Sequence, residues 1–310
     1  MANLVCPECG SDITKEDSKL YCKNNHVFYI NNGICEFLSK SLHNITQDDA
    51  AYHANCKEDW IEFTQSDSLR NLYFHKKIIE FIVKASASDT EILEIGGGVG
   101  FDLELFLSSN PRFYKYCFSE ISSEMVKFVK IKTNDARVEY YTIDAHRIPF
   151  KAETFDFIYM VAALHHLVNV ESGMREIVRV AKKGAYIIFG IEPNRMFFYF
   201  LKSIKKALAG LLPKKDHSAG DEHAEGFVIK DFVNFGEDCG LELIKVEPVW
   251  IICGFIHYGL ELIFKVLKLK TRVRLPFIIE KMFIFIDKLL FFIPGSKYLA
   301  WHYTVIYRKS

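Results

Sequence analysis

The chain has 310 residues, half of them apolar and a quarter charged, with 39 basic and 39 acidic side chains. At roughly 150 residues per domain this suggests about two folding units. The balance excludes disorder, collagen or coiled coil for the whole, and zero net charge excludes a global basic field of the kind a nucleic-acid binder carries. The longest charge-free run, Phe157–Val170, has 14 residues and contains two histidines. That falls short of the roughly 18 apolar residues a spanning helix needs.

The first residues lack a basic segment followed by a long apolar one, so a secretory leader is not expected and a reducing cytoplasm is. Cysteines would then be thiols or metal ligands. Of eight, Cys6, Cys9, Cys22 and Cys35 crowd the first 35 residues. Cys6-Pro-Glu-Cys9 is followed by Cys22-x3-His26. Two ligand pairs on tight turns, a hairpin apart, fit a tetrahedral structural zinc held by Cys6, Cys9, Cys22 and His26, with Cys35 as substitute for His26. A unit of about 40 residues has too little core to fold alone, and a metal supplies what is missing. Val27–Ile30 reads as a strand, Asn31-Asn32-Gly33 as a turn and Ile34–Leu38 as the returning strand. Residues 41–75 read as a linker and lid helix, with helical spacing over Leu72–Val83.

A βα rhythm then begins. Strands are expected at Glu91–Ile95, Tyr114–Phe118, Val138–Ile143, Phe155–Val161, Ala185–Ile191, Leu241–Val246 and Trp301–Tyr307. Helices are expected at Phe101–Leu107, Ser122–Lys132 (Ser122 as N-cap), Gly173–Ala181 and Ile229–Cys239. Strands alternating with helices specify an α/β fold with a parallel, doubly wound sheet.

The first of these strands runs into Gly96-Gly97-Gly98-Val99-Gly100. Glycine permits a sharp turn, and also a ligand close to the main chain. The second strand ends at Glu120, 24 residues after Gly96, and the third at Asp144, 24 residues later. A carboxylate at the second strand tip suits a ribose diol, and one at the third an exocyclic adenine amine. His165 and His166 follow the fourth strand and are candidate general bases, with Glu192 after the fifth strand as their orienting acid. His217 and His223 lie in a polar loop, Asp216–Gly226.

On these residues the chain resembles the small-molecule branch of the class I S-adenosylmethionine-dependent methyltransferases. The acid-x-Gly-x-Gly-x-Gly turn is matched by Glu94-Ile-Gly96-Gly-Gly98-Val-Gly100, and Phe155–Tyr159 with Ala163–Leu167 resembles the family's fourth-strand motif. The resemblance implies a Rossmann-like, seven-stranded methyltransferase fold over residues 76–310. It also implies S-adenosylmethionine bound by Glu94, Gly96, Gly97, Gly98, Gly100, Glu120, Ile121, Asp144, Ala145 and Met160. In that branch a histidine here, paired with an acid after the fifth strand, is a known arrangement. Residues 1–40 resemble a zinc-binding module that precedes several kinds of methyltransferase, among them a ribosomal-RNA guanine family.

Two segments depart from a minimal core. Residues 196–212 put Phe197, Phe200, Leu201 and Ile204 on one helical face and Lys202, Lys205 and Lys206 on the other. Residues 255–294 form two apolar helices bearing Lys265, Lys268, Lys270, Arg272, Arg274, Lys281 and Lys288. From Val249 onward there are ten Lys/Arg against three Asp/Glu. Such helices suit an anionic membrane surface, a helical cap over the cavity, or a homodimer face. They favour a small lipophilic or lipid-linked acceptor. RNA phosphates, and a non-catalytic cofactor-binding or zinc-mediated interaction protein, remain the alternatives.

Overall fold

In the computed structural model the described residues are 3–38, 42–55, 69–133, 135–208, 210, 224–269 and 275–310. The polar loop with His217 and most of its neighbours, including His223, lies outside them, as do Lys270, Arg272 and Arg274. The centre is a sheet of β5 (Glu91–Ile95), β6 (Lys115–Glu120), β7 (Val138–Thr142), β8 (Phe155–Val161), β9 (Ala181–Pro193), β10 (Leu241–Val249) and β11 (His302–Lys309). Its order is β7-β6-β5-β8-β9-β11-β10, with β11 antiparallel to both neighbours and β5 to β9 parallel. This is the seven-stranded, Rossmann-like arrangement expected for a class I methyltransferase.

The parallel strands are buried on both faces, which is why they read as nearly unbroken apolar runs. One face packs on α2 (Leu69–Ala85), α3 (Phe101–Ser108) and α4 (Ser123–Lys132) through Ile78, Ile82, Leu103, Phe106, Val126 and Val129. The other packs on α5 (Val170–Val180) and α7 (Ile229–Cys239) through Met174, Ile177, Val180 and Phe232. Asn169 caps α5, its side chain accepting from Ser172 N–H at 2.9 Å. Ser122 holds the N-cap position of α4, but its hydroxyl makes no capping bond. β9 begins at Ala181, four residues before the expected start, because Ala181 pairs with Phe155 across a register shift.

The N-terminal unit forms β1 (Ile13–Glu16), β2 (Lys19–Cys22), β3 (Val27–Asn31) and β4 (Ile34–Glu36). It is not a free-standing lobe. β4 pairs in parallel with β7 and extends the sheet to eleven strands. Leu20, Phe28 and Phe37 join the core on the α5 side, and Arg147–Glu8 and Lys151–Asp12 ion pairs at 2.7 Å flank the seam. The module thus covers what would be an exposed edge strand. The expected boundary at residue 75 lies inside a helix, α2, whose Ile78, Ile79 and Ile82 are part of the main core.

The two departures from a minimal core are helical, as expected: α6 (Arg195–Ala207), α8 (Ile252–Val266) and α9 (Phe277–Leu290). Asp287 of α9 is buried and accepts from the N–H groups of Ile251, Ile252 and Cys253 at 3.1, 2.7 and 3.3 Å. That carboxylate satisfies donors at the start of α8, which have no partner within their own helix. Glu280, also on α9, pairs with buried Arg70 of α2 at 3.8 Å. The C-terminal helices are therefore tied to the core by specific polar contacts.

Candidate active site

A cavity of about 990 Å³ opens at the carboxyl ends of β5, β6, β7 and β8, where open α/β sheets bind ligands. Gly96, Gly97 and Gly98 line its floor, with Glu120 and Ile121 beside them. Asp144, Ala145 and Met160 complete the group of expected cofactor residues that reach it.

The glycine turn is required by space as well as by dihedral angle. A Cβ on Gly97 would lie 2.3 Å from the Phe118 ring, and one on Gly96, at φ +69°, 2.8 Å from Ala163 Cβ. Glu120 Oε2 accepts from Gly98 N–H at 3.0 Å, while Oε1 accepts from Ile121 and Ser122 N–H at 2.8 and 3.1 Å. It therefore fixes the loop on which a ligand would rest. Asp144 accepts from His146 Nδ1 at 2.6 Å and from His146 N–H at 2.9 Å. Asn169 N–H donates to His146 Nε2 at 3.3 Å, which sets the tautomer. Burial pushes the Asp144 carboxyl up, but these hydrogen bonds win and hold it below the usual carboxylate range.

Two expected cofactor residues are not in the cavity wall. Gly100, at φ +79°, packs where a Cβ would meet Val129 at 2.8 Å. Glu94 is buried beneath Gly97 and accepts from Tyr116 Oη at 2.5 Å, and Tyr116 in turn is bonded to Tyr159. Burial, and then the charge of Asp102, push the Glu94 carboxyl up to about 8. The acid of the motif supports the turn from below.

The expected catalytic group also divides. Glu192 is fully buried, accepts from the N–H groups of Ala163, Leu164 and His165 at 3.0, 2.9 and 3.2 Å, and holds His165 Nδ1 at 2.8 Å. The expected histidine–acid pairing is present, but neither residue is in the cavity wall; His166 is. Next to this clamp, Ala162 (φ +51°) and Ile191 (φ +55°) adopt left-handed backbone that β-branched or substituted residues avoid. The three bonds to Glu192 hold the strained strand ends in place.

Sequence reasoning missed several residues in the wall. His75 of α2 bonds Asp102 of α3 at 2.8 Å. Thr46, Asp49 and His53 come from α1 (Asn44–Asn55), and Leu275, Phe277 and Glu280 from around the start of α9. A stripe at i, i+3 and i+7 was the available signal in α1.

At the N-terminal cluster, Cys6, Cys9, Cys22 and His26 place their ligand atoms within 4.8 Å of one another. His26 Nδ1 lies 3.3 Å from Cys6 Sγ and 3.4 Å from Cys22 Sγ, and the Cys9 and Cys22 sulfurs are 3.7 Å apart. Cys35 is excluded. It is buried in β4 opposite β7, and burial pushes its thiol up to about 11.

Residues 93–189 match a family described as a methyltransferase domain. A demethylmenaquinone methyltransferase of Thermotoga maritima is 24% identical over 183 residues, 56% of this chain and 75% of that protein. A fatty-acid O-methyltransferase of Mycolicibacterium smegmatis is 26% identical over 129 residues, 42% of this chain and 46% of that protein. Coverage of these curated relatives' own length thus runs from about half to three quarters. Phosphoethanolamine N-methyltransferase 2 of Haemonchus contortus, solved with S-adenosyl-L-methionine, shares the fold at 15% identity and a TM-score of 0.54, over 88% of this chain and 61% of that one. Residues 93–189 thus match a methyltransferase domain, within a Rossmann-like sheet of the class I methyltransferase fold.

Two outcomes follow. Glu120→Ala should weaken S-adenosylmethionine binding by about 1–3 kcal/mol in calorimetry, the usual loss when a charged hydrogen-bonding group is removed; unchanged affinity would refute the role given to Glu120. Glu94 is raised above its ordinary 4.5. Its contribution to stability is therefore full below about pH 4.5 and is lost as pH rises through about 8, with a slope of up to about 1.4 kcal/mol per pH unit. Urea unfolding of Glu94→Gln between those limits should show a flatter decline than wild type. Parallel declines would contradict the assignment.

Proposed function

We propose that the protein transfers a methyl group from S-adenosylmethionine to a lipophilic or lipid-linked acceptor that it meets at a membrane surface. One observation carries the reading. Leu275, Phe277 and Glu280 wall the cavity, and the same segment continues outward as an exposed apolar face. Phe277, Ile278, Phe285 and Phe292 are 55%, 79%, 59% and 84% exposed. Phe255 and Ile263 of α8 and Met196, Tyr199 and Phe200 of α6 are exposed too. Apolar surface of this extent marks an interaction site. Lys281, Lys288 and Lys297 are interspersed with it. Basic residues near an anionic bilayer contribute about 1 kcal/mol each, enough for reversible attachment. Among the described residues no helix is long and apolar enough to cross a membrane. The names of the two relatives, which specify demethylmenaquinone and a fatty acid, agree with an apolar acceptor.

In this reading Gly96, Gly97 and Gly98 allow the cofactor close to the backbone, Glu120 holds the ribose and Asp144 the adenine. Ile121, Ala145 and Met160 supply apolar contact. The cofactor, when bound, offers a methyl group already activated by its positive sulfur. The protein's part is alignment and exclusion of water. His166 faces the reacting region, while Glu192 and His165 position the turn that carries it.

The N-terminal cluster is proposed to hold one structural zinc. With Zn–S near 2.3 Å and Zn–N near 2.0–2.1 Å, a tetrahedral site has S···S edges of about 3.8 Å and S···N edges of about 3.6 Å. The separations of 3.7, 3.3 and 3.4 Å fit. Four protein ligands leave no open position, so this zinc stabilises the module and the sheet edge it covers.

Incubation of membrane extracts with cofactor labelled in its methyl group should place the label in the organic-solvent phase. The protein should also bind anionic vesicles better than neutral ones at low salt, and less so after Lys205→Glu, Lys206→Glu and Lys281→Glu together. Label confined to RNA or to water-soluble metabolites would sink the lipid reading. Elemental analysis should find about one zinc per chain, lost in Cys22→Ser together with a lowered melting temperature. A zinc-free protein of unchanged stability would rule the structural zinc out.

A further inference from the structure

We propose that Asp49, His53 and His166 form a binding site for a divalent metal ion on the acceptor side of the cavity, and that it holds an oxygen of the acceptor. The second half of this proposal rests on the methyl-transfer reading above; the ion site itself does not.

The three side chains come from two distant parts of the chain. Asp49 and His53 are one turn apart on α1, so both project from one face of the helix. His166 comes from the short 3₁₀ turn Leu164–His166 after β8, which the Glu192 clamp holds to the end of β9. All three line the cavity that the glycine turn also lines. Asp49 lies between the imidazoles, with Oδ1 3.6 Å from His53 Nε2 and Oδ2 3.4 Å from His166 Nδ1. The two rings are 5.5 Å apart and inclined at 74°. One ligand atom from each residue falls within a set whose members all lie within 4.8 Å of one another.

Nitrogen and oxygen ligands at about 2.0–2.2 Å from an ion are about 3 Å apart in octahedral and about 3.5 Å in tetrahedral geometry. The two carboxylate–imidazole distances, 3.6 and 3.4 Å, are near the tetrahedral value but run to different oxygens of Asp49, so the group closes around an ion on binding. Two imidazoles and one carboxylate suit zinc, manganese or ferrous iron and do not favour calcium. The contrast with the N-terminal cluster is informative. Four ligands there close the coordination sphere, whereas three here, all lining the cavity, leave positions open. An ion so held orients an oxygen acceptor and lowers the pKa of a bound hydroxyl. That arrangement selects for a hydroxyl, carboxylate or phenol over an amine or a carbon acceptor.

A purely structural role, in which Asp49 only ties α1 to the turn after β8, makes a different prediction. The test is titration with Mn²⁺, an ion that prefers oxygen and nitrogen to thiolate, of the full-length protein carrying one zinc per chain, that of its N-terminal cluster, followed by calorimetry and electron paramagnetic resonance. Wild type should take up one Mn²⁺ per chain. Asp49→Asn and His53→Gln should each weaken this at least tenfold. Cofactor affinity, measured on the same samples, reports whether each variant is folded. Absence of saturable Mn²⁺ uptake by wild type, or uptake unchanged in both variants, would overturn the ion site. Failure of the methyl-transfer reading would show separately, as wild type that does not bind S-adenosylmethionine while its Mn²⁺ titration is unaffected.

Discussion

A buried carboxylate that gathers three backbone N–H groups recurs at three places, and the working end of the molecule depends on it. Glu120 binds Gly98, Ile121 and Ser122. Glu192 binds Ala163, Leu164 and His165. Asp287 binds Ile251, Ile252 and Cys253. Each stands where the chain leaves a strand or enters a helix, so the N–H groups would otherwise lack partners in a region screened from water. Bonds to an ionised acceptor are roughly twice as strong as neutral ones, and leaving such donors unmet costs about 1–3 kcal/mol apiece. The first carboxylate shapes the glycine turn, the second the turn bearing His166, the third the start of α8. They tie the loops and helix starts at this end of the molecule to the rigid sheet.

Glu94 shows the opposite solution. Among the described residues it has no backbone donors, and it lies under the glycine turn against Tyr116 and Tyr159. Desolvation then dominates, and its carboxyl moves up to about 8. Glu94 and Glu120 are thus two acids of one motif region with opposed roles, set by what each finds to bond with. One holds the loop through three backbone hydrogen bonds, the other fills space below it with its carboxyl pushed up by burial.

What could be read in the sequence was what is local in the chain. The glycine turn, the acids 24 residues apart and the cysteine–histidine pairs are each set by neighbours within a few residues of a strand end. Apolar runs and helical spacing located most of the central strands and helices for the same reason. The rest is made by pairing across distance. That β4 joins β7 depends on hydrogen bonds between segments about a hundred residues apart, which periodicity does not encode. His146 was unremarkable until Asp144 and Asn169 were seen on its two ring nitrogens. Asp49 and His53 belong to a helix with little amphipathic pattern, and their meaning comes from His166, more than a hundred residues on. Glu192 was legible as an acid near the histidines, but its burial and its three backbone partners were not.

This division bears on how much the fold can say about the substrate. The residues that match the methyltransferase family, 93–189, contain the glycine turn, Glu120, Asp144, Met160 and His166. They build the half of the cavity proposed to hold the cofactor. The opposite half is built by α1, by the start of α2 and by the segment from Leu275 into α9, all outside that match. In the proposed reading the shared fold supplies the cofactor half, while the grafted walls decide what is brought to it. Two features of those walls act together. The exposed apolar face around Phe277 and Ile278 suits an acceptor arriving from a bilayer, and the Asp49–His53–His166 group suits a polar oxygen at its reacting end. An amphipathic acceptor has that combination, an apolar body with one oxygen to present. A fully water-soluble acceptor would make no use of the first feature, and a pure hydrocarbon none of the second.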